Sequence, residues 1–343
     1  MNTALSRAPG DTSSRLHLLG KRTFTVAPMM DWTTRHCRYF HRQLSQNALL
    51  YTEMVTTGAL IHGDVPHHLT YNDQEHPLAL QLGGSNPADL ATCTKLAKEW
   101  GYDEVNLNVG CPSDRVQNGA FGACLMAEPQ LVKECMSAMR DAADIDVTVK
   151  HRIGIDDRDS YDAMAEFVGI VAESGVDTFI VHARKAILKG LSPKQNRDVP
   201  PLKYEYVYRL KQEFPQLEIL INGGIKTHEE CAEHLKHVDG VMLGREAYHS
   251  PWVLAEVDSR YYGGTDRFTE RREAIEAMLP YVEQQIESGE RLFHMTRHMM
   301  GLFTGLRGTK PWKRYLADHA WKPEATAQTL ADSLEHAFGN PEA

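Results

Sequence analysis

The sequence lacks the cysteine spacings that bind structural metal ions or form redox dithiols. Its six cysteines are far apart, and no two of them make a C-x-x-C pair. They are Cys37, Cys93, Cys111, Cys124, Cys135 and Cys231. We therefore predict no metal site, and we expect free thiols in a reducing compartment.

Long apolar segments are also missing. No run approaches the roughly 18 apolar residues that indicate a membrane-spanning helix, and the first twenty residues contain no apolar segment of a secretion signal. A cytoplasmic protein without a membrane partner is therefore predicted. Residues 1–20 show no apolar periodicity, and we expect a disordered N-terminal tail there.

A third absence concerns nucleotide binding. The sequence contains no G-x-G-x-x-G motif, so a Rossmann dinucleotide-binding domain is not supported. The net charge of −9, taken alone, argues against a nucleic-acid partner, because phosphate groups are bound by Lys and Arg. The distribution of charge along the chain must decide this question.

The features that are present indicate an α/β fold. Eight short apolar runs rich in β-forming residues alternate with helical segments, which predicts parallel strands with right-handed crossovers. The 343 residues suit one (β/α)8 TIM barrel of about 250 residues and a smaller appendage. The predicted strands cover residues 23–30, 48–55, 77–84, 104–110, 146–154, 178–184, 218–224 and 240–246.

The strand pattern stops after residue 246. Apolar residues then recur at spacings of three and four, as in Ile275, Met278, Leu279 and Val282, which is typical of helices. We therefore predict a TIM-barrel domain at residues 21–255 and a smaller C-terminal helical domain at residues 256–343.

In a TIM barrel the active site lies at the C-terminal ends of the strands, so unusual side chains there are functional candidates. The candidates from the first six strands are Pro28, Met29, Met30, Gln81, Asn108, Lys150 and His182. For Lys150, a lysine extending from the barrel rim and a Schiff-base nucleophile are open alternatives. His182 is equally compatible with a role in the barrel core.

Glycines follow the last two predicted strands, in Asn222-Gly223-Gly224 and in Gly244-Arg245. Either pair alone is explained by a tight turn, but together they favour a phosphate site at the ends of strands 7 and 8. Flavin mononucleotide fits such a site. Gln81 is then expected at the pyrimidine edge of the flavin, and Lys150 near its N1 and O2 atoms.

Cys111 stands between Gly110 and Pro112, on a loop just after the fourth predicted strand. A thiol that stays protonated near neutral pH can act as a general acid. Cys124 belongs to the same long loop and is the second candidate for this role. Glycines in the loop allow it to close over a substrate.

At these residues the sequence resembles the flavin-dependent tRNA-dihydrouridine synthases, most closely their A subfamily. The resemblance covers residues 22 to about 320. It rests on several motifs in the same order, which are Ala27-Pro-Met-Met-Asp-Trp-Thr33, Leu80-Gln-Leu-Gly-Gly84, Asn106-Leu-Asn-Val-Gly-Cys-Pro-Ser113, Val149-Lys150, Ile221-Asn-Gly-Gly-Ile225 and Leu243-Gly-Arg245.

The resemblance implies FMN as the cofactor and NADPH as its reductant. Hydride passes from the flavin to C6 of uracil, Cys111 protonates C5, and Asn108 contacts the base. The target uridine must be turned out of the tRNA to reach the flavin. The residues implied to bind FMN are Pro28, Met29, Met30, Gln81, Lys150, His182, Asn222, Gly223, Gly224, Gly244 and Arg245.

Two segments contain Lys and Arg but no acidic residues, so a protein with a negative net charge can still bind RNA there. Residues 178–197, the first basic segment, contain five Lys or Arg, and residues 291–317, the second basic segment, contain six. Both resemble the A subfamily and imply action at D-loop positions 20 and 20a. The predicted tRNA-binding residues are Asn108, Arg184, Lys194, Arg197, Lys310, Lys313 and Arg314. Each segment alone is also compatible with an ordinary solvated surface.

Three other functions fit parts of the pattern. They are an FMN barrel that acts on a free pyrimidine, as dihydroorotate dehydrogenases do, a lyase that uses Lys150 as a Schiff base, and a non-catalytic RNA-binding module. Within the main hypothesis we expect a monomer that binds tRNA and not DNA. His151 stands where a small residue is expected, and no role is assigned to it.

Overall fold

The computed structural model of the chain describes residue 18 and residues 21–113, 116 and 119–339. The predicted disordered tail therefore lies outside the described residues, apart from Leu18. Leu18 is buried with the side chains of the barrel interior, and its backbone N–H donates to the Asp146 carboxylate at 2.9 Å.

Within the described residues, eight parallel strands close into a barrel in chain order, which confirms the predicted (β/α)8 fold. The strands are β1 (Phe24–Val26), β2 (Leu49–Thr56), β3 (Leu78–Gly83), β4 (Glu104–Val109), β5 (Asp146–Arg152), β6 (Thr178–His182), β7 (Glu218–Asn222) and β8 (Gly240–Leu243).

The first and last predicted strands run past the ends of the observed ones. β1 stops at Val26, four residues before the predicted end, and Pro28, which follows it, has no N–H to donate to a neighbouring strand. β8 stops at Leu243, before Gly244. The residues beyond both strands form the mouth of the barrel.

Helices surround the barrel and follow it. Among the described residues, four short 3-10 helices cover Asp73–Glu75, Gly122–Ala127, Gln195–Arg197 and Pro251–Glu256. The described α-helices are α1 (Arg35–Leu44), α2 (Thr57–His62), α3 (Val65–Leu69), α4 (Pro87–Trp100), α5 (Pro129–Ala142), α6 (Tyr161–Ala172), α7 (Tyr204–Glu213), α8 (His228–His234), α9 (Arg245–His249), α10 (Val257–Tyr261), α11 (Arg271–Glu276), α12 (Leu279–Glu287), α13 (Leu292–Thr296), α14 (Thr309–His319) and α15 (Ala327–Phe338).

The ends of α4 show how local sequence sets these helices. The Asn86 side chain accepts the backbone N–H groups of Ala88 and Asp89, and Pro87 occupies the first turn, where no N–H is needed. The helix ends at Gly101, whose φ of 87° lies in the left-handed region that glycine adopts most readily.

The barrel interior contains both apolar and polar side chains. One buried hydrophobic cluster consists of Leu18, Ala27, Leu49, Tyr51, Ala79, Ile180, Leu220 and Met242. Many of the polar side chains belong to β3, β4 and β5. At the N-terminal end of the barrel the Arg22 guanidinium contacts Glu104, Asp146 and Glu218 at 2.7, 2.8 and 2.7 Å. Burial alone would lower the pKa of Arg22, but Glu104 and Glu218 outweigh it and raise that pKa.

The described elements after residue 257 are helices, in the part of the chain where a helical domain is predicted. They pack on α1 of the barrel, where the rings of Tyr39 and Tyr281 stack with centroids 3.8 Å apart. Trp312 of α14 is fully buried and donates from Nε1 to Ser333 of α15 at 3.0 Å. No helix among the described residues is both long and apolar enough to cross a membrane.

Candidate active site

A cavity of about 820 Å³ lies at the C-terminal ends of the barrel strands. Cys111, Asn108 and Arg197 line it, so the predicted proton donor and the predicted flavin-binding residues share one space. The flavin-binding candidates in its wall are Pro28, Met29, Met30, Gln81, Lys150, His182, Asn222, Gly223, Gly224, Gly244 and Arg245.

Two neighbouring side-chain amides organise one wall of the cavity. Gln81 of β3 is buried; its Nε2 donates to Asn106 at 2.8 Å, and its Oε1 accepts from Nδ2 of Asn108 at 2.8 Å. Oδ1 of Asn108 accepts the backbone N–H groups of Gly110 and Cys111 at 3.0 and 2.9 Å. Asn108 therefore fixes the start of the loop that carries Cys111.

Lys150 is half-buried in the cavity wall and donates to Oδ1 of Asn222 at 3.1 Å. The amide nitrogen of Asn222 donates in turn to the Met242 carbonyl at 2.7 Å, which fixes the orientation of this amide. Desolvation, with a smaller contribution from Arg152, lowers the pKa of Lys150 to about 7. The same two causes hold the pKa of His182 well below its usual value, so this imidazole is neutral near pH 7.

Glycine is required at two of the three cavity positions it occupies after β7 and β8. Gly223 and Gly224 have φ values of 118° and 78°, and a Cβ atom would lie 2.6 Å from His182 and 2.7 Å from Leu202, respectively. At Gly244 a Cβ atom would make only ordinary contacts of 3.6 Å or more, so the space beside its backbone is open.

Arg245 links the start of α9 to the loop that follows β6. Its guanidinium contacts the Asp198 carboxylate at 2.7 Å and donates to the Arg197 carbonyl at 3.3 Å. The hydrogen bond from Arg245 is the main reason that the pKa of Asp198 is lowered. This ion pair closes one side of the cavity.

Arg152 is a site residue that the sequence analysis missed. It lines the cavity and is almost fully buried, and its Nε donates to the Gly110 carbonyl at 2.8 Å. The same guanidinium donates to the carbonyls of Lys185 and Asn196 at 3.1 and 3.0 Å. Arg152 thus joins the Cys111 loop to the first basic segment. Its position two residues after Lys150 on β5, on the same strand face, is the signal that could have found it.

The two candidate acids have different surroundings. The Cys111 thiol lies 3.5 Å from the Ser113 hydroxyl and lines the cavity. Cys124 does not line it, and its thiol donates to the Phe121 carbonyl at 3.0 Å. Burial raises the pKa of Cys124. The geometry favours Cys111 as the group that reaches a bound substrate.

Further cavity residues were not singled out from the sequence, among them Trp32, Met54 and His249. The Trp32 ring stacks on Tyr248 with centroids 4.5 Å apart and meets His249 edge-on. Trp32 lies just after Pro28-Met29-Met30, so the strand-end rule, extended by a few residues, would have included it.

Of the residues predicted to bind tRNA, Asn108 and Arg197 line the cavity and the others do not. Lys194 is exposed, whereas the Arg184 guanidinium donates to the carbonyls of Asp198 and Pro200. The other candidates belong to α14, where Lys310 and Arg314 are exposed and Lys313 is partly exposed. Their role in binding tRNA stays a prediction.

His151 lies outside the cavity. It is fully buried on the outer face of β5, where its ring packs against Phe167 of α6 and edge-on against Phe179. Its Nδ1 contacts the Arg152 carbonyl at 2.7 Å, and burial lowers its pKa to about 4. His151 is thus a neutral packing residue between the barrel and its helices.

A closed parallel barrel, with a cavity at its strand ends and several polar side chains in the cavity wall, defines the class of this protein as a TIM-barrel enzyme. The family model for dihydrouridine synthases matches residues 25–338. The chain belongs to the dihydrouridine synthase family, whose members are flavin-dependent oxidoreductases, as the sequence analysis predicted.

Individual relatives cover nearly the whole chain. Proteins named tRNA-dihydrouridine(20/20a) synthase from Vibrio vulnificus and Shewanella oneidensis are 60% and 62% identical to it over 311 and 309 residues. Each alignment spans 90% of this chain, and 95% and 92% of the respective relative. A protein of the same name from Escherichia coli is 58% identical over 91% of this chain and 90% of its own.

Proposed function

We propose that this chain reduces the C5=C6 bond of uridine at positions 20 and 20a of the tRNA D-loop, with FMN as cofactor and NADPH as electron donor. The observation that carries the proposal is the shared cavity, in which Cys111 faces the same space as the eleven flavin-binding candidates. The names of the relatives support the substrate and its positions.

The residues present fit FMN. Apart from its chain neighbours, no protein atom lies closer than 3.6 Å to the place that a Cβ atom would take at Gly244, so a ligand has room to approach the main chain there. Gly223, Gly224 and Arg245 line the same cavity, so a phosphate would be held here by backbone N–H groups and the guanidinium. Gln81 and Lys150 would hold the ring through their amide and ammonium groups.

When bound, the flavin supplies the hydride for C6 of uracil. The chain supplies the proton, which the Cys111 thiol holds in the cavity until it passes to C5. Asn108 and Arg152 hold the loop from two sides, through its N–H groups and through the Gly110 carbonyl. A fixed loop keeps the thiol at the reacting carbon, and this positioning is a large part of the catalysis proposed here.

The substrate would be recognised as RNA by charge and admitted as a single base. A cavity of about 820 Å³ shared with a flavin has no room for a helix, so the uridine must be turned out of the tRNA fold. The two basic segments would contact the tRNA phosphates. A free pyrimidine would leave these segments without a role, and an amine nucleophile at Lys150 would leave the Cys111 loop without one. We infer a cytoplasmic monomer.

The test incubates the purified protein with NADPH and an unmodified tRNA transcript and maps dihydrouridine by mass spectrometry. Product is expected at positions 20 and 20a, and flavin-bound protein that forms no product would refute the proposal. The variant Cys111→Ala should retain its flavin and lose nearly all activity, because only the proton donor is removed. Cys124→Ala is the matched control and should stay active. Reversed results for the two variants would assign the acid to Cys124.

A further inference from the structure

A chain of side-chain hydrogen bonds crosses the barrel interior and ends at the Cys111 loop. Next to the loop, Asn108 donates from Nδ2 to Oε1 of Gln81 at 2.8 Å. Gln81 in turn donates from Nε2 to Oδ1 of Asn106 at 2.8 Å. Nδ2 of Asn106 donates to the Thr148 hydroxyl at 2.9 Å, and that hydroxyl donates to the Glu104 carboxylate at 2.5 Å. The other carboxylate oxygen of Glu104 accepts from Arg22 at 2.7 Å.

The direction of every bond in this chain is fixed from both ends. At the cavity end the backbone N–H groups of Gly110 and Cys111 can only donate, so the side-chain oxygen of Asn108 must face them. Its nitrogen must then donate to Gln81, and the same constraint passes along the chain to Thr148. At the other end a carboxylate paired with Arg22 can only accept. Thr148 satisfies both directions, because a hydroxyl accepts one bond and donates another.

Asn106 and Thr148 are polar residues at interior positions of the barrel. Both are fully buried, and neither lines the cavity. Other interior positions are filled by apolar side chains such as Ile180 and Leu220. Polar groups in this position require a partner for every hydrogen-bonding atom, which makes them costly as simple filler.

We propose that Thr148 and Asn106 are positioning residues that fix the amides of Gln81 and Asn108, and through them the loop of the proton donor. In the observed direction each of these two cavity amides uses one of its two N–H groups within the chain and keeps the other for a ligand. The part of this inference that concerns the reaction rests on the proposed function of Cys111. The part that concerns the loop stands on the hydrogen bonds alone.

The test compares Thr148→Val, which removes the hydroxyl at nearly constant shape, with Thr148→Ser, which keeps it. Thr25→Val is the matched control, because Thr25 is also fully buried in the barrel but outside the chain, with its hydroxyl on the Val241 carbonyl. Hydrogen exchange at the backbone N–H groups of Gly110 and Cys111 is measured in the flavin-bound protein without tRNA. Dihydrouridine formation is measured separately, with kcat and KM for tRNA resolved.

In Thr148→Val we expect exchange at these two amides to rise about fivefold, on the order of what one hydrogen bond contributes. The value of kcat should fall by a similar factor while KM changes little, and Thr148→Ser should restore both the exchange rate and kcat.

Unchanged exchange in Thr148→Val, or an equal rise in Thr25→Val, would overturn the inference, as would faster exchange with normal kcat. If Thr148→Val fails to fold, Thr148→Ala with Thr25→Ala is judged by the same criteria. If the wild-type protein forms no dihydrouridine, the proposed function fails, whereas the exchange data still decide the claim about the loop.

Discussion

The ammonium group of Lys150 lies in a cavity wall where desolvation disfavours its charged form. Its pKa is lowered to about 7 from the usual value near 10.5. The charged form is therefore present below about pH 7 and is lost as the pH rises above it. Since FMN is an anion, we expect its affinity for the flavin-free protein to fall between about pH 7 and 9. Fluorescence titration of FMN across this range measures the effect.

Lys150→Met should bind FMN roughly tenfold more weakly at pH 6.5, as expected for one charged hydrogen bond, and should lose most of the pH dependence above pH 7. Lys226→Met provides the control, because Lys226 also lines the cavity but is exposed. A variant at residue 150 that keeps the full pH dependence would show that another group titrates.

Arg152 makes a second prediction for a single residue. Arg152→Lys keeps the positive charge but loses the planar fork that reaches the carbonyls of Gly110, Lys185 and Asn196. Buried carbonyls that are left without a hydrogen-bond donor should lower the free energy of unfolding by about 2 kcal/mol. We also expect flavin to be retained and dihydrouridine formation to fall about tenfold or more, since a misplaced loop is costly to catalysis.

Urea unfolding and the tRNA assay test both parts of this prediction. Arg158→Lys makes the same exchange on an exposed arginine and should change neither quantity. Normal activity in Arg152→Lys would mean that catalysis does not need the hydrogen bonds of Arg152 to the loop.

Among the elements, α1 joins the barrel to the C-terminal helices through buried histidines. His36 contacts the Tyr281 hydroxyl at 2.7 Å, and His298 contacts Thr34 at 2.9 Å. Burial lowers the pKa of His36 to about 4, and those of His41 and His298 to about 3. As the pH falls, the unfolded chain binds protons on these histidines near pH 6.5, whereas the native protein binds them only at a much lower pH.

The stability that these neutral histidines confer is fully present above about pH 6.5 and is lost as the pH falls toward 4. Each contributes about 1.4 kcal/mol per pH unit, so the free energy of unfolding should drop by several kcal/mol between about pH 6.5 and 5. Urea unfolding at several pH values measures this drop, and His41→Gln should reduce its slope by about one proton. A slope that is the same in wild type and variant would mean that His41 takes up its proton in the native state.

The strands and the residues at their ends could be predicted from the sequence, whereas the polar residues inside the barrel could not, for a physical reason. Barrel strands are marked by apolar runs between helices, and the strand-end rule then locates Gln81, Lys150 and Asn222 without side-chain detail. The rule does not reach into the barrel. β5 is buried on both faces, so its inward Thr148, in the middle of the strand, does not stand out by alternation from its outward neighbours. The role of Thr148 appears only when its hydrogen-bond partners on β4 are known.

For the whole molecule, the question posed by the sequence is how a chain with a net charge of −9 would bind RNA. The two basic segments approach the cavity from different parts of the chain. Arg197 of the first segment lines the cavity. Arg297 of the second donates to the backbone carbonyl of Asp31, which also lines it, at 3.2 Å. Positive charge therefore reaches the cavity edge from both the barrel and the C-terminal helices.

If one tRNA contacts both basic segments, each must account for part of the salt dependence of binding. Lys194→Glu with Arg197→Glu, and separately Lys313→Glu with Arg314→Glu, should weaken tRNA binding without loss of flavin. Each pair should reduce the slope of log Kd against log salt by about one for every tRNA phosphate that the variant no longer neutralises. Lys133→Glu with Lys236→Glu alters the net charge equally at sites outside both segments and should leave the slope unchanged. If only the total charge mattered, all three pairs would weaken binding alike, and the basic segments would have no special place in tRNA recognition.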